Sequence, residues 1–104
     1  MDFNINEILA DMLSAMKISF GEDWGVVKST ANGFIQSKKI RLESLAKKRL
    51  EGTIDQAFFL NRLEDEKDIL ASELHAIAIV SAVLAQNAAN AAIDVLTDAI
   101  EALL

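Results

Sequence analysis

The side chains able to do chemistry are few in this sequence. His75 is its one histidine, cysteine is absent, and acids cluster at Glu64, Asp65, Glu66 and Asp68. A helical bundle commonly holds a metal through Glu-x-x-His, which turns both ligands to one face. At that spacing before His75 stands Ser72, and Glu73 falls nearly on the opposite side of a helix. Nucleophilic catalysis lacks a thiol, and no serine sits in a recognisable elbow to complete a triad. Neither G-x-G-x-x-G nor a phosphate-binding P-loop occurs, so the usual cradles for nucleotides are missing. These absences point away from an enzyme, and the expected metal and cofactor complement is none.

What the sequence does carry is a change of sign. From Lys38 to Arg49 the bases Lys38, Lys39, Arg41, Lys47, Lys48 and Arg49 stand against one acid, Glu43. Beyond Gly52 come Asp55, Glu64, Asp65, Glu66 and Asp68 against Arg62 and Lys67. A basic run can attract nucleic acid, but this one lacks interleaved aromatics and is followed by acids that cancel its field. The formal charge of -6 further disfavours nucleic acid and anionic membranes. The alternative is that the two halves face each other. If the chain folds back at Gly52, facing positions have numbers of nearly constant sum. That register pairs Lys38 with Glu66, Lys39 with Asp65, Arg41 with Glu64, Glu43 with Arg62, and Arg49 with Asp55.

Long helices must position these charges. The chain has 104 residues, 52% of them hydrophobic, with four glycines and no proline. This suits one all-α domain, residues 1–104, and leaves few residues for the turns of a sheet. Ile5, Ile8, Leu9, Met12, Leu13 and Met16 recur at helical spacing and predict a short helix over about 5–18, with Asn4 or Asn6 as cap. After "ISFGEDWG", with Asp23 as a new cap and Trp24 as a plug at the joint, a second helix runs over about 23–50. Its stripe is Val27, Ala31, Ile35, Leu42, Leu45 and Ala46. Gly52 stops it in a turn at 51–53, and Thr53 with Gln56 has capping-box spacing. No glycine or proline follows, so one long helix is expected over about 54–103, a rod of roughly 75 Å. The resulting expectation is an elongated antiparallel helical hairpin with a short N-terminal helix.

That long helix carries more apolar surface than a hairpin can bury. Beside its first stripe runs a second, and the expected contact surface comprises Ile77, Ala78, Val80, Ala82, Ala85, Ala89, Ile93, Leu96 and Ile100. Self-association into a four-helix-type bundle, coiled-coil in character, would cover it. The competing arrangement has the first helix fold over the second stripe within one chain. Leu74 to Ile93 holds no formal charge over twenty residues, a length that suits a membrane span. Yet it contains His75, Ser81, Gln86, Asn87 and Asn90 without a basic flank, and a buried core helix is the preferred reading. The stretch "MDFNINEILADML" lacks the features of a signal peptide, which makes the cytoplasm the expected compartment. The function expected is a non-enzymatic assembly or adaptor protein acting through helix–helix contacts. Its partners would be its own copies and another helical protein. A membrane-active or exported hairpin and a metal- or ligand-binding bundle are the alternatives.

Overall fold

The computed structural model describes residues 3–104; Met1 and Asp2, the first two positions of the expected domain, lie outside the described residues. Among the described residues there are four α-helices and no strand: α1 (Ile5–Phe20), α2 (Trp24–Glu51), α3 (Gln56–His75) and α4 (Ala82–Glu101). Each boundary has a local cause. The Asn4 side chain accepts hydrogen bonds from the backbone N–H groups of Asn6 and Glu7, satisfying two donors that the first turn leaves free. Gly21, at φ +56°, stops α1, and Gly21–Asp23 forms one turn of 3-10 helix into α2. The expected Asp23 cap is not made: Asp23 has helical backbone angles and no capping hydrogen bond.

Gly52 ends α2 at φ +79°, in the left-handed region that an amino acid with a Cβ enters only at a cost. Its N–H and that of Thr53 close back onto the Arg49 and Lys48 carbonyls. The helix that follows is capped by Asp55, whose Oδ1 accepts from the Phe58 N–H at 2.8 Å. This replaces the expected Thr53–Gln56 capping box: Thr53 donates to the Lys48 carbonyl, and Gln56 reaches Arg49 and Glu101 instead.

The expected long helix over 54–103 is broken. Residues 76–81 leave the helix, and α4 starts afresh with Ser81 as its cap, Oγ accepting from the Leu84 N–H at 3.1 Å. His75 Nδ1 lies 3.0 Å from the Val80 carbonyl. A carbonyl only accepts, so the ring nitrogen donates, and the imidazole staples the bend. The segment Ile77, Ile79, Val80 and Val83 is β-branched, and such side chains lose rotamer freedom in a helix. Its weak propensity makes this the cheapest place to turn. The gain is burial within one chain of what a rod would leave bare.

The four helices enclose a single core. The 28 residues of α2 rise roughly 42 Å, matching the 41 Å long dimension of the molecule, so the other helices lie beside it. The other two dimensions are 22 and 20 Å. These dimensions exclude the expected rod of roughly 75 Å, as does a radius of gyration of 13.4 Å, close to the ~13 Å of a compact 100-residue domain. Side-chain bonds from α2 to Glu66 and Gln56 make α2 and α3 antiparallel. A 2.9 Å bond from Gln56 to Glu101 does the same for α3 and α4. α1 packs on α2 and most closely on α4, while α3 packs on α2 and α4, giving the ring α1–α2–α3–α4.

Ile5, Ile8, Leu9, Met12, Met16 and Phe20 of α1 are buried in one cluster with Ala85, Ala88, Ala89 and Ala92 of α4. The small residues let the two axes approach, and the large ones fill the space. From α2 come Val27, Ala31, Phe34, Ile35, Leu42 and Ala46, and from α3 Phe59, Leu63, Leu70 and Leu74.

Candidate interaction surface

The second apolar stripe is core, not surface. Val80, Ala85, Ala89, Ile93, Leu96 and Ile100 are buried against the rest of the chain. Ile77 is half-buried, and of the expected contact residues Ala78 and Ala82 are exposed. The physical reason is the bend at 76–81, which swings α4 back so that α1 covers it. The four-helix arrangement is thus reached within one chain.

The expected charge pairs are redistributed by helix direction. Glu64, Asp65 and Glu66 are consecutive, so they point to different sides of α3, and of these three Glu66 turns inward, 3% exposed. Lys38 Nζ lies 3.5 Å from its Oε2, the pairing expected from the sequence. Arg41 Nη1 lies 3.1 Å from its Oε1, so Arg41 meets Glu66 rather than Glu64. Glu64 pairs with Lys67, and Asp65 with Arg62, both within α3. Glu43 lies 4.0 Å from Lys47 on its own helix rather than opposite Arg62. Arg49 donates to Gln56, since Asp55 is occupied as a cap. Among the described residues Lys39 and Lys48 have no acid within 4 Å.

Glu66 is a positioning group. Two cations neutralise a carboxylate that would otherwise be costly to bury. Its Oε2 lacks a hydrogen bond and has essentially no accessible surface, so an incoming ligand does not reach it. What it does is hold Lys38 and Arg41 of α2 against α3.

Beside this cluster, α2 and α3 diverge into an open groove of about 930 Å³. Its apolar lining is Ile40 and Leu45 of α2, Ile54 of the turn, and Phe58 and Ile69 of α3. Ile40 is 82% exposed, and Phe58 and Ile69 are partly so. Arg41, Lys48 and Arg62 stand along the rims, with Asp65 and Glu66 as the acids. The Arg62 guanidinium sits 5.2 Å from the centre of the Phe58 ring, a cation–π contact that holds it over the apolar floor. Three cations against two acids leave the groove lining with a small positive balance, carried by Lys48, on a chain of charge -6.

The sequence singled out the charged members of this groove, Arg41, Arg62, Asp65 and Glu66, as charge-pair residues, but not its apolar members Ile40, Phe58 and Ile69. The signal was present: Phe58 adjoins buried Phe59 and Ile69 adjoins buried Leu70, so each lies off the core face. Ile40 stands between Lys39 and Arg41, where no core contact calls for it. A second, shallower hollow of about 300 Å³ lies at the bend, bordered by Asp68, Ser72, His75 and Gln86. No group of three or more His, Cys, Asp or Glu among the described residues is arranged to hold a metal ion. No helix among them is long and apolar enough to cross a membrane; Leu74 to Ile93 is divided by the bend. Comparison with protein-family models, with curated proteins and with solved structures returned no match.

Proposed function

We propose that this protein is a non-enzymatic adaptor that acts through helix–helix contact, with the α2–α3 groove as its contact surface. The observation that carries the reading is the groove itself. Ile40, Phe58 and Ile69 leave apolar surface in water beside the core, and apolar side chains gathered along one cleft favour a contact role there. A cleft between two helices is the shape a third helix fills. The cytoplasm suits a chain with no cysteine to build a disulfide framework.

Self-association is a second reading, favoured by the exposed Ile79 and Val83 beside the α3–α4 bend, 63% and 71% accessible. Sedimentation equilibrium of wild type and Ile79→Lys/Val83→Lys separates it: a dimer that the double variant dissolves supports it, and a monomeric wild type rejects it.

The groove is tested by a photo-crosslinking amino acid at position 40 in the native host. Crosslinks to a helical segment of another protein, lost with Phe58→Glu in the same background, are the expected result. Labelling that ignores the Phe58 change would overturn the reading.

A further inference from the structure

We propose that the occupant of the α2–α3 groove is an amphipathic helix whose apolar stripe is flanked by carboxylates on the side facing α2. The inference rests on the groove being a helix-binding surface and adds the chemistry of what it binds. The groove runs along α2 from Ser37 to Lys48, roughly 16 Å at helical rise, or about three turns. A docked helix of that length presents apolar anchors at i, i+3 or i+4, and i+7. Ile40 with Ile69 at one end, Leu45 in the middle, and Ile54 with Phe58 at the other receive them.

The rims decide the flanks. Arg41, 63% exposed at its side chain, already spends one Nη1 contact on Glu66 and keeps the rest of its guanidinium for a second carboxylate. Lys48 has no acid within 4 Å among the described residues. Arg62 is held over the groove by Phe58. Arg62 is itself paired with Asp65 at 3.6 Å, so the uncompensated cations are those of the α2 rim, which favour acids on the flank of the stripe that faces α2 and repel bases there.

A second copy of this chain does not meet that description. Its exposed acids on α4, Asp94, Asp98 and Glu101, lie on a helix whose apolar residues Ile93, Leu96 and Ile100 are buried in its own core. Helix α4 of a second copy thus brings carboxylates without a free stripe, and the proposed occupant is a helical segment of another protein, whose stripe is not committed to its own core.

The test uses three fluorescein-labelled, hydrocarbon-stapled helical peptides of about 14 residues. They share one leucine stripe and carry Glu, Gln or Lys on its flanks. Anisotropy with the full chain should show the Glu peptide binding about tenfold or more tightly than the Gln peptide at low salt, with the Lys peptide weakest. The preference should shrink as salt rises and reverse toward the Lys peptide in Lys48→Glu/Arg62→Glu. Ile40→Glu should lose binding of the Glu and Gln peptides while circular dichroism is unchanged, because its side chain is 82% exposed. If the Gln or Lys peptide binds as well as the Glu peptide, the acidic occupant is overturned and the helix-binding groove stands. If none binds wild type at any usable concentration, the groove reading falls and takes the occupant with it.

Discussion

The two sides of the helical ring are built on different physics. Where α1 meets α4, the seam is dry: methionine, leucine and isoleucine of one helix share a cluster with the alanines of the other. Among the described residues, no ion pair and no side-chain hydrogen bond crosses it. Where α2 meets α3, a buried carboxylate is clamped by Lys38 and Arg41, Arg49 reaches Gln56, and a groove stays open between the helices. The first side has spent its apolar surface on its own fold. The second keeps apolar side chains in water, with fixed cations beside them. Under the proposed function, stability and recognition fall to opposite sides of one small bundle.

The sharpest break of this comparison is at the dry seam. Ile93→Asp with Ile100→Asp puts two carboxylates into the buried apolar cluster, and should cost more than about 5 kcal/mol, enough to unfold a domain of this size. Loss of the cooperative thermal transition in circular dichroism is the expected outcome. A double variant that still melts cooperatively would mean that α1 does not cover α4.

At the polar side the loss should be smaller and repairable. Lys38→Met with Arg41→Met strands Glu66 and should cost about 2–4 kcal/mol in urea unfolding. Adding Glu66→Leu should restore most of it, since an apolar triplet of similar volume needs no compensating charge. A triple variant no better than the double one would make Glu66 something other than a buried ion-pair member. Smaller again is the bend. Ser81→Ala removes the α4 cap and should cost about 1 kcal/mol, with native-state hydrogen exchange rising first at the N–H of Leu84. An unchanged Leu84 amide would show that the bend holds without its cap.

The sequence reading reached the elements that have local punctuation. Asn4, Gly21 and Gly52 act through their own backbone neighbours, so the ends of α1 and α2 were legible from residue type. The Lys38–Glu66 pair was legible because an antiparallel turn fixes a constant sum. The other pairs were not, since a sum gives height along the helices but not direction around them, and Glu64 and Asp65 face away. The bend at 76–81 has neither glycine nor proline. Its signals were a β-branched run and one serine, each too weak alone against the apolar periodicity that continues through them. Missing the bend turned core residues such as Ala85, Ala89 and Leu96 into an expected interface. It also hid the α2–α3 groove, since a long helix with a second apolar stripe offers the more conspicuous contact surface.

The dry seam also dictates an order of events as the chain is made. α1 ends at Phe20 and α4 begins at Ala82, a stretch of roughly sixty residues that takes about 3–12 s to synthesise. Through that interval the apolar face of α1 has no alanine partner, and only α2, then α3, can shield it. Closing the ring last joins the two helices most distant in sequence, the kind of non-local step that slows folding. The nascent chain is therefore most vulnerable to aggregation, and most in need of a chaperone's cover, just before its fourth helix arrives.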